Sequence, residues 1–423
     1  MGPGAVITVP PASAHSYDHA GWATDLVVAG ALGAILGAGV GGRAPAVVAT
    51  RDEHSIPALA AGPPPPLAHL AALARSVAGG DVVVGSTAQP AVADHARTAW
   101  DALAARGALE RGVHARPRCS RCGALPDATA TSACEGCGSP ASPGDGEPNW
   151  FLRVAPFADG IAAFRERVAL RGPAAALGRA SAAPPATLSV SRPASRTGGH
   201  GVPVPGDPGQ VIHSGFVAAA SYLAPRPHAG WAESATRIQV LGKGLLNLHL
   251  TLVPLLCQAL DAPTADVLHV HHHLRVEGRS PREAAAAGIT ASALVERHGP
   301  TAVRWGILRL ALARRDASLL LRDLAALGSR EAPRVAALAG PGSGSGSGAA
   351  GAGTDASATP GPHGDPAAGR RTAAQLAALD LGGLTRSLLA APDRGGLDAV
   401  ATGTDRARLD SLVAWVVGAG ARP

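Results

Sequence analysis

Ala5–Asp25, AVITVPPASAHSYDHAGWATD, is the stretch whose reading decides the fold. Ala5 to Val9 is a short apolar run with β-branched residues, long enough for one buried strand. Pro10 and Pro11 end it. A polar loop follows. From His19-Ala20-Gly21-Trp22 an apolar period runs through Leu26, Ala29 and Gly33, which predicts a helix. Strand, loop and helix N-terminus in that order open a nucleotide-binding α/β unit, in which backbone N–H groups at the helix start point at an anion. His15 and His19 lie on the loop. The glycine-rich dinucleotide pattern and the phosphate-loop pattern GxxxxGK[ST] are both absent from it.

A chain of 423 residues implies two or three domains. Hydrophobic residues make up 46% and aromatics only 3%, so the cores are expected to be built from Ala, Leu and Val. Lys243 is the only lysine. A net charge of +6 and a pI near 9.6 permit a nucleic-acid partner without requiring one. No window of about 18 apolar residues lacks breakers, and no signal-peptide pattern opens the chain, so a cytoplasmic protein without membrane contact is expected.

Further along, Pro45 to Thr50 reads as a second strand ending in Arg51-Asp52-Glu53-His54, where open α/β sheets place ligands. Helices are predicted over Leu67–Val77 and Ala91–Arg106, with a strand at Asp81–Val84. Cys119-x-x-Cys122 and Cys134-x-x-Cys137 then stand eleven residues apart. Two such pairs form a closed Cys₄ site for structural zinc, the alternative being a degenerate or redox pair. Cys257 lies in an apolar run and reads as core. Strands are expected at Gln210–Phe216, Ile238–Leu241 and Val267–Val276, with helices over Leu245–Leu260 and Ala291–Arg309. The histidines 269, 271, 272 and 273 admit three readings: metal ligands, substrate or nucleotide contacts, or ordinary strand residues. Gly340–Gly353 is a Gly/Ser/Ala linker, and the segment from Arg371 carries short amphipathic helices.

His19-Ala20-Gly21-Trp22 resembles the first signature of class I aminoacyl-tRNA synthetases, His-x-Gly-His, with its last histidine replaced. Over roughly Ala5–Leu310 the order of pieces resembles that of the methionyl-tRNA synthetase family. Asp52-Glu53-His54 stands for Asp-Glu-His-Gly, then come the zinc knuckle, Asn149-Trp150-Phe151, Ser191-Arg192, Val202 to Asp207, Gly242-Lys243, His249, and Leu294 to Gly299 with Arg304. The resemblance implies an α/β fold: a Rossmann-like catalytic domain in two halves (1–106 and 200–275) around a connective insert (107–199) with a zinc knuckle (119–137). A second-signature loop and helical stem (276–335), a linker (336–370) and a short helical tail (371–423) would follow. The tail looks too short for the family's anticodon-binding domain.

The same resemblance implies the site. His15, His19, Gly21, Lys243 and His271 would contact ATP, with Mg²⁺. His19, Lys243, Arg279 and Arg282 would be catalytic. The two arginines keep the spacing of the lysines in Lys-Met-Ser-Lys-Ser if the loop is one residue shorter. Pro11, Ser13, Asp52, Gly215, Ala219, Tyr222, Leu245 and His249 would hold the amino acid. Ser13 and Gly215 replace aromatic residues of the family, which opens space and argues against methionine. The implied activity is formation of an aminoacyl-adenylate. Its acyl group would pass to a small amine or hydroxylamine, as in synthetase-like ligases that work beside a partner enzyme in forming N–N bonds, or to tRNA. A catalytically dead binding module is the alternative. A monomer is expected.

Overall fold

The computed structural model describes residues 4–14, 16–39, 45–55, 64–114, 118–119, 141–142, 146–181, 183–226, 230–331, 333, 381, 384–385 and 403–417. His15, Cys122, Cys134, Cys137 and the linker lie outside these residues.

Six strands form one parallel sheet. In chain order they are β1 (Ala5–Thr8), β2 (Ala46–Asp52), β3 (Val82–Ser86), β4 (Ala169–Arg171), β5 (Thr236–Gly242) and β6 (Val267–His271). Across the sheet they run β3-β2-β1-β5-β6-β4, every neighbour parallel. A two-residue strand, Ala12–Ser13, continues the chain beyond Pro10-Pro11 and pairs with Arg51 and Asp52 of β2. The strand order reverses between β1 and β5, and the crevice beyond the carboxyl ends of strands at such a switch point is where open α/β sheets hold ligands.

Side chains alternate across each strand, so the sheet has two buried faces. On one, Ile7, Val47, Ala49, Ile238 and Val240 meet α1 (Ala20–Gly39) and α2 (Leu67–Ala78). On the other, Val6, Val48, Leu241, Leu268 and Val270 meet α3 (Pro90–Ala105) and α4 (Ser214–Leu223). By length and composition α1 could cross a membrane, although its stretch Ala20–Gly37 carries Asp25 and four glycines as breakers; 78% of that stretch is buried inside the protein, because α1 is the central helix of the first face.

Several boundaries differ from those expected. The strand placed at Gln210–Phe216 is Asp207–Ile212, and Phe216 lies in α4. His213 makes the break: its Nδ1 accepts the Gly215 N–H at 3.2 Å and so caps α4. Val267–Val276 divides, because Leu274–Val276 leaves the main sheet to pair with Ala317–Leu319. Leu245–Leu260 is a helix in three registers, 3₁₀ at Lys243–Leu245, π at Leu248–Leu252 and α at Val253–Ala259. Ala291–Arg309 is two helices, Ala291–His298 and Pro300–Ala311, parted at Gly299-Pro300. Of the tail, Gly403–Val417 is a helix that packs on α1 and α2. Leu412, Val413 and Val416 are fully buried there, and Val416 O accepts from Arg304 Nε and Nη2 at 3.2 and 2.9 Å.

Candidate functional site

His19 sits where the loop after β1 meets α1. The backbone N–H of Trp22 donates to His19 Nδ1 at 3.1 Å, which leaves the ring proton on Nε2. Burial, and next the charge of Arg282, push His19 down to about 4, so the ring is neutral near pH 7. Gly21 is required by closeness. A Cβ there would stand 3.1 Å from the His19 ring and 3.2 Å from Pro281 Cγ. The first-signature loop and the segment after β6 therefore touch.

That segment is built from a tight turn and a cap. Val276 and Arg279 exchange both backbone hydrogen bonds, at 3.0 and 2.9 Å, around Glu277 (φ 50°) and Gly278 (φ 74°). Two positive φ values in a two-residue turn are the type I′ geometry. Ser280 then opens the helix Pro281–Ala286 with a capping box: Ser280 Oγ accepts from Glu283 N and Glu283 Oε2 accepts from Ser280 N. Arg279 and Arg282 lie on either side of Ser280-Pro281, both exposed.

Trp22 has become structural. It is 3% exposed, donates through Nε1 to Pro10 O at 3.2 Å and packs edge-on against Tyr17. Lys243, at the end of β5, is bound to Asp316 at 2.7 Å, and Asp316 also accepts from His273 N at 3.0 Å. Burial would raise the Asp316 carboxyl; the hydrogen bonds from Lys243 and His273 hold it low instead. His271, at the end of β6, meets Asp25 of α1 at 2.8 Å, and its Nδ1 lies 2.8 Å from His272 O. Burial opposes the imidazolium, but the bond and charge of Asp25 raise His271 above its usual value. Burial in turn raises Asp25, with His271 opposing.

Across the sheet lies the second group. Asp52 closes β2, and its Oδ1 accepts from His54 N at 2.9 Å; burial pushes it up to about 6. Ser13 is its partner across the pairing with β2 and bonds Ser55 Oγ at 2.8 Å. Pro11 is half-buried beside it. Gly215, Ala219 and Tyr222 fall at i, i+4 and i+7 of α4, one face of the helix. Tyr222 Oη lies 3.4 Å from His249 Nε2, and His249 Nδ1 lies 2.9 Å from Gln239 Oε1. Burial holds His249 down to about 3, so this chain is uncharged: Tyr222 donates to His249, and His249 to Gln239. Leu245 is 37% exposed. Beside Gly215 opens a cavity of about 340 Å³ lined by His213, Phe216, Pro185, Leu248 and Thr251 among others. An aromatic side chain at position 215 would border that space.

The sequence alone did not single out Asp25, Gln239 or Asp316. Asp25 had a signal: it is the one charged residue in the twenty of α1. Among the described residues, no group of three or more His, Cys, Asp or Glu side chains could hold a metal. Three of the four cysteines proposed for zinc lie outside them. The ends of that segment do meet, since Cys119 pairs with Ala141 in an antiparallel bridge.

Residues 109–331, more than half of the chain, match the family model of class I tRNA synthetases (M). Mitochondrial methionine–tRNA ligases are similar over shorter stretches. That of Takifugu rubripes is 36% identical over 96 residues, 22% of this chain and 16% of the relative. That of Xenopus laevis is 32% identical over 134 residues, 30% and 23% respectively. The matched stretches thus span less than a quarter of either relative. Methionyl-tRNA synthetase of Mycobacterium tuberculosis, solved in complex with methionyl-adenylate, superposes with a TM-score of 0.66 at 17% identity, covering 98% of this chain and 89% of that one.

Proposed function

The chain belongs to the class I tRNA synthetases of the methionyl type, and from that premise we propose that it activates an amino acid with ATP. The carboxylate of the amino acid attacks the α-phosphorus, the bond to pyrophosphate breaks, and an aminoacyl-adenylate results. An acceptor nucleophile then takes the acyl group and AMP leaves. The observation that carries this reading is the meeting of the two signature segments. Neutral His19, with its proton on Nε2, lies within the electrostatic reach of Arg282 and under Pro281 at the switch point of the sheet. A hydrogen-bond donor and a guanidinium set around one spot stabilise charge that develops on a phosphoryl group and its leaving pyrophosphate. Methionyl-adenylate in the Mycobacterium structure supports the same chemical class here. ATP would come with Mg²⁺.

Ser13 and Gly215, small where the family resemblance implies aromatic residues, favour an amino acid bulkier or more polar than methionine. For the acceptor we favour a small amine or hydroxylamine, supplied in a biosynthetic sequence with a partner enzyme, over tRNA. Amino-acid-dependent exchange of pyrophosphate into ATP, run over a panel of amino acids, tests activation. Charging of total tRNA tests the acceptor: efficient charging of methionine tRNAs would restore the ordinary synthetase reading. The second reading, a binding module without turnover, is favoured by one contact, the Lys243–Asp316 pair, which occupies the lysine. Absence of exchange with every amino acid would establish it.

Cys119, Cys122, Cys134 and Cys137 suit a structural zinc ion by donor type and spacing, with no open coordination position for chemistry. Elemental analysis should find one zinc per chain; less than a third of an equivalent with intact thiols would remove it. The protein is proposed to act in the cytoplasm.

A further inference from the structure

Arg226 is a guanidinium without the anion its surroundings call for. It follows α4 closely, and its Nη2 donates to Thr50 Oγ1 at 3.1 Å and its Nη1 to Ala224 O at 3.5 Å. Its Nε is shut off from solvent and bonded to nothing, and no carboxylate among the described residues pairs with it. Burial draws it down to about 10. His95, on α3, is a neighbour in the same condition: its Nε2 is buried and unbonded, and burial, then the charge of Arg226, lower it. Gly85 pairs with Thr50 across β3 and β2, and a Cβ there would come 3.5 Å from Arg226 Nε. The backbone thus leaves room beside the unbonded nitrogen. Arg226 is half-buried with that one nitrogen sealed; a guanidinium so placed calls for a hydrogen-bonding counter-charge, and arginine does not escape by losing its proton. The missing partner is an anion.

The place of Arg226 says which anion. Tyr222 lies four residues before it and feels the charges of both Arg226 and Asp25, so Arg226 borders the amino-acid side of the site. Thr50, its anchor, and Asp52 are two residues apart on one face of β2, about 7 Å along the strand. An α-amino acid whose ammonium rests on Asp52 can extend its side chain down that face. Two methylenes and a carboxylate reach roughly 5 Å from the nitrogen, and a charge-assisted hydrogen bond of about 2.8 Å at each end brings the total to roughly 10 Å. We propose that Arg226 receives the side-chain carboxylate of an acidic amino-acid substrate, glutamate before aspartate, whose ammonium is held by Asp52. This rests on the activating role argued above and names its substrate class.

Calorimetric titration of the full chain with L-glutamate, L-glutamine and L-methionine, in the presence of a non-hydrolysable ATP analogue, tests it. Glutamate should bind at least tenfold more tightly than glutamine. Arg226→Gln should abolish that difference and Arg226→Lys should keep part of it. Glutamine or methionine binding as tightly as glutamate overturns the proposal, as does glutamate binding that Arg226→Gln leaves unchanged. Should Arg226→Gln fail to fold, the wild-type preference alone decides. Pyrophosphate exchange separates the two readings. Exchange driven by an apolar amino acid and indifferent to Arg226→Gln overturns the acidic substrate and keeps the activating role. Glutamate binding without exchange upholds Arg226 and removes the activating role.

Discussion

On the α1 face of the sheet, charges at the site come in pairs: Asp25 with His271, Asp316 with Lys243. On the α4 face, the chain Tyr222–His249–Gln239 is neutral, and the one nearby cation, Arg226, has no counter-charge among the described residues. The first arrangement is complete before any ligand arrives. Its groups hold one another in place, which suits the proposed positioning of a triphosphate in a fixed geometry. The second is incomplete, and Ser13 and Gly215 there are small, where the family resemblance implies aromatic walls. The two sides are not independent, since the charge of Asp25 reaches Tyr222, but only the second lacks, among the described residues, a counter-charge for a ligand to supply.

The largest break in this contrast should come from Trp22. Its ring is buried in the α1 core and its Nε1 bonds Pro10 O. Trp22→Ala should cost about 3–5 kcal/mol of stability, read from the denaturant midpoint. Restoring the family's histidine there should also destabilise, since an imidazole leaves much of the indole volume empty. A cost below about 1 kcal/mol would mean that the α1 face tolerates change as freely as the other.

His19 comes next. His19→Ala removes a donor from the phosphate side and should lower pyrophosphate exchange about 100-fold. The same change removes the acceptor for Trp22 N–H, at about 1 kcal/mol. His19→Asn keeps an acceptor for that N–H, so it should recover most of the stability and little of the exchange. Exchange within threefold of wild type in His19→Ala would move the nucleotide elsewhere.

Much of the α1 side could be read directly from the chain. Ala5–Thr8 is apolar and β-branched, two prolines end it, and the period of α1 begins at once. Those are local signals. Phe216 was misplaced because a short apolar run carries no period, and the cap that starts α4 comes from the ring of His213. Arg226 meets Thr50 across 176 residues, and Lys243 meets Asp316 across 73. No spacing rule links such partners; only the folded sheet brings them together. Tyr222 and His249 were singled out through family resemblance alone, since nothing in their local sequence marks them; the fold joins them in one hydrogen-bond chain with Gln239.

Asp52 offers a test through pH. Burial raises it from 3.8 to about 6, and it pairs with an α-ammonium only when ionised. Amino-acid affinity should therefore fall as pH drops below about 6, by about tenfold per unit, and Asp52→Asn should flatten the profile. Folding runs the other way. The folded chain takes up this proton at a higher pH than the unfolded one, so Asp52 adds stability as pH falls through the interval between 6 and 3.8. A flat affinity profile would place the ammonium on another group.

The smallest expected effect bears most directly on whether the paired face still works. Lys243 and Asp316 are 27% and 41% exposed, so their pair contributes at most about 1 kcal/mol to folding. Asp316→Asn should leave stability nearly unchanged. It should release Lys243 toward the anion beside His19 and improve the KM for ATP about threefold, a gain that shrinks as salt is added. This variant separates a lysine in reserve from a lysine retired. If ATP recruits Lys243 during activation, removing its competitor must help. If Asp316 instead orients Lys243 for the phosphates, exchange falls and the pair is part of the working site. An exchange rate and KM that do not move in either direction would make the pair purely structural, and the reading of Lys243 as a phosphate ligand would be lost.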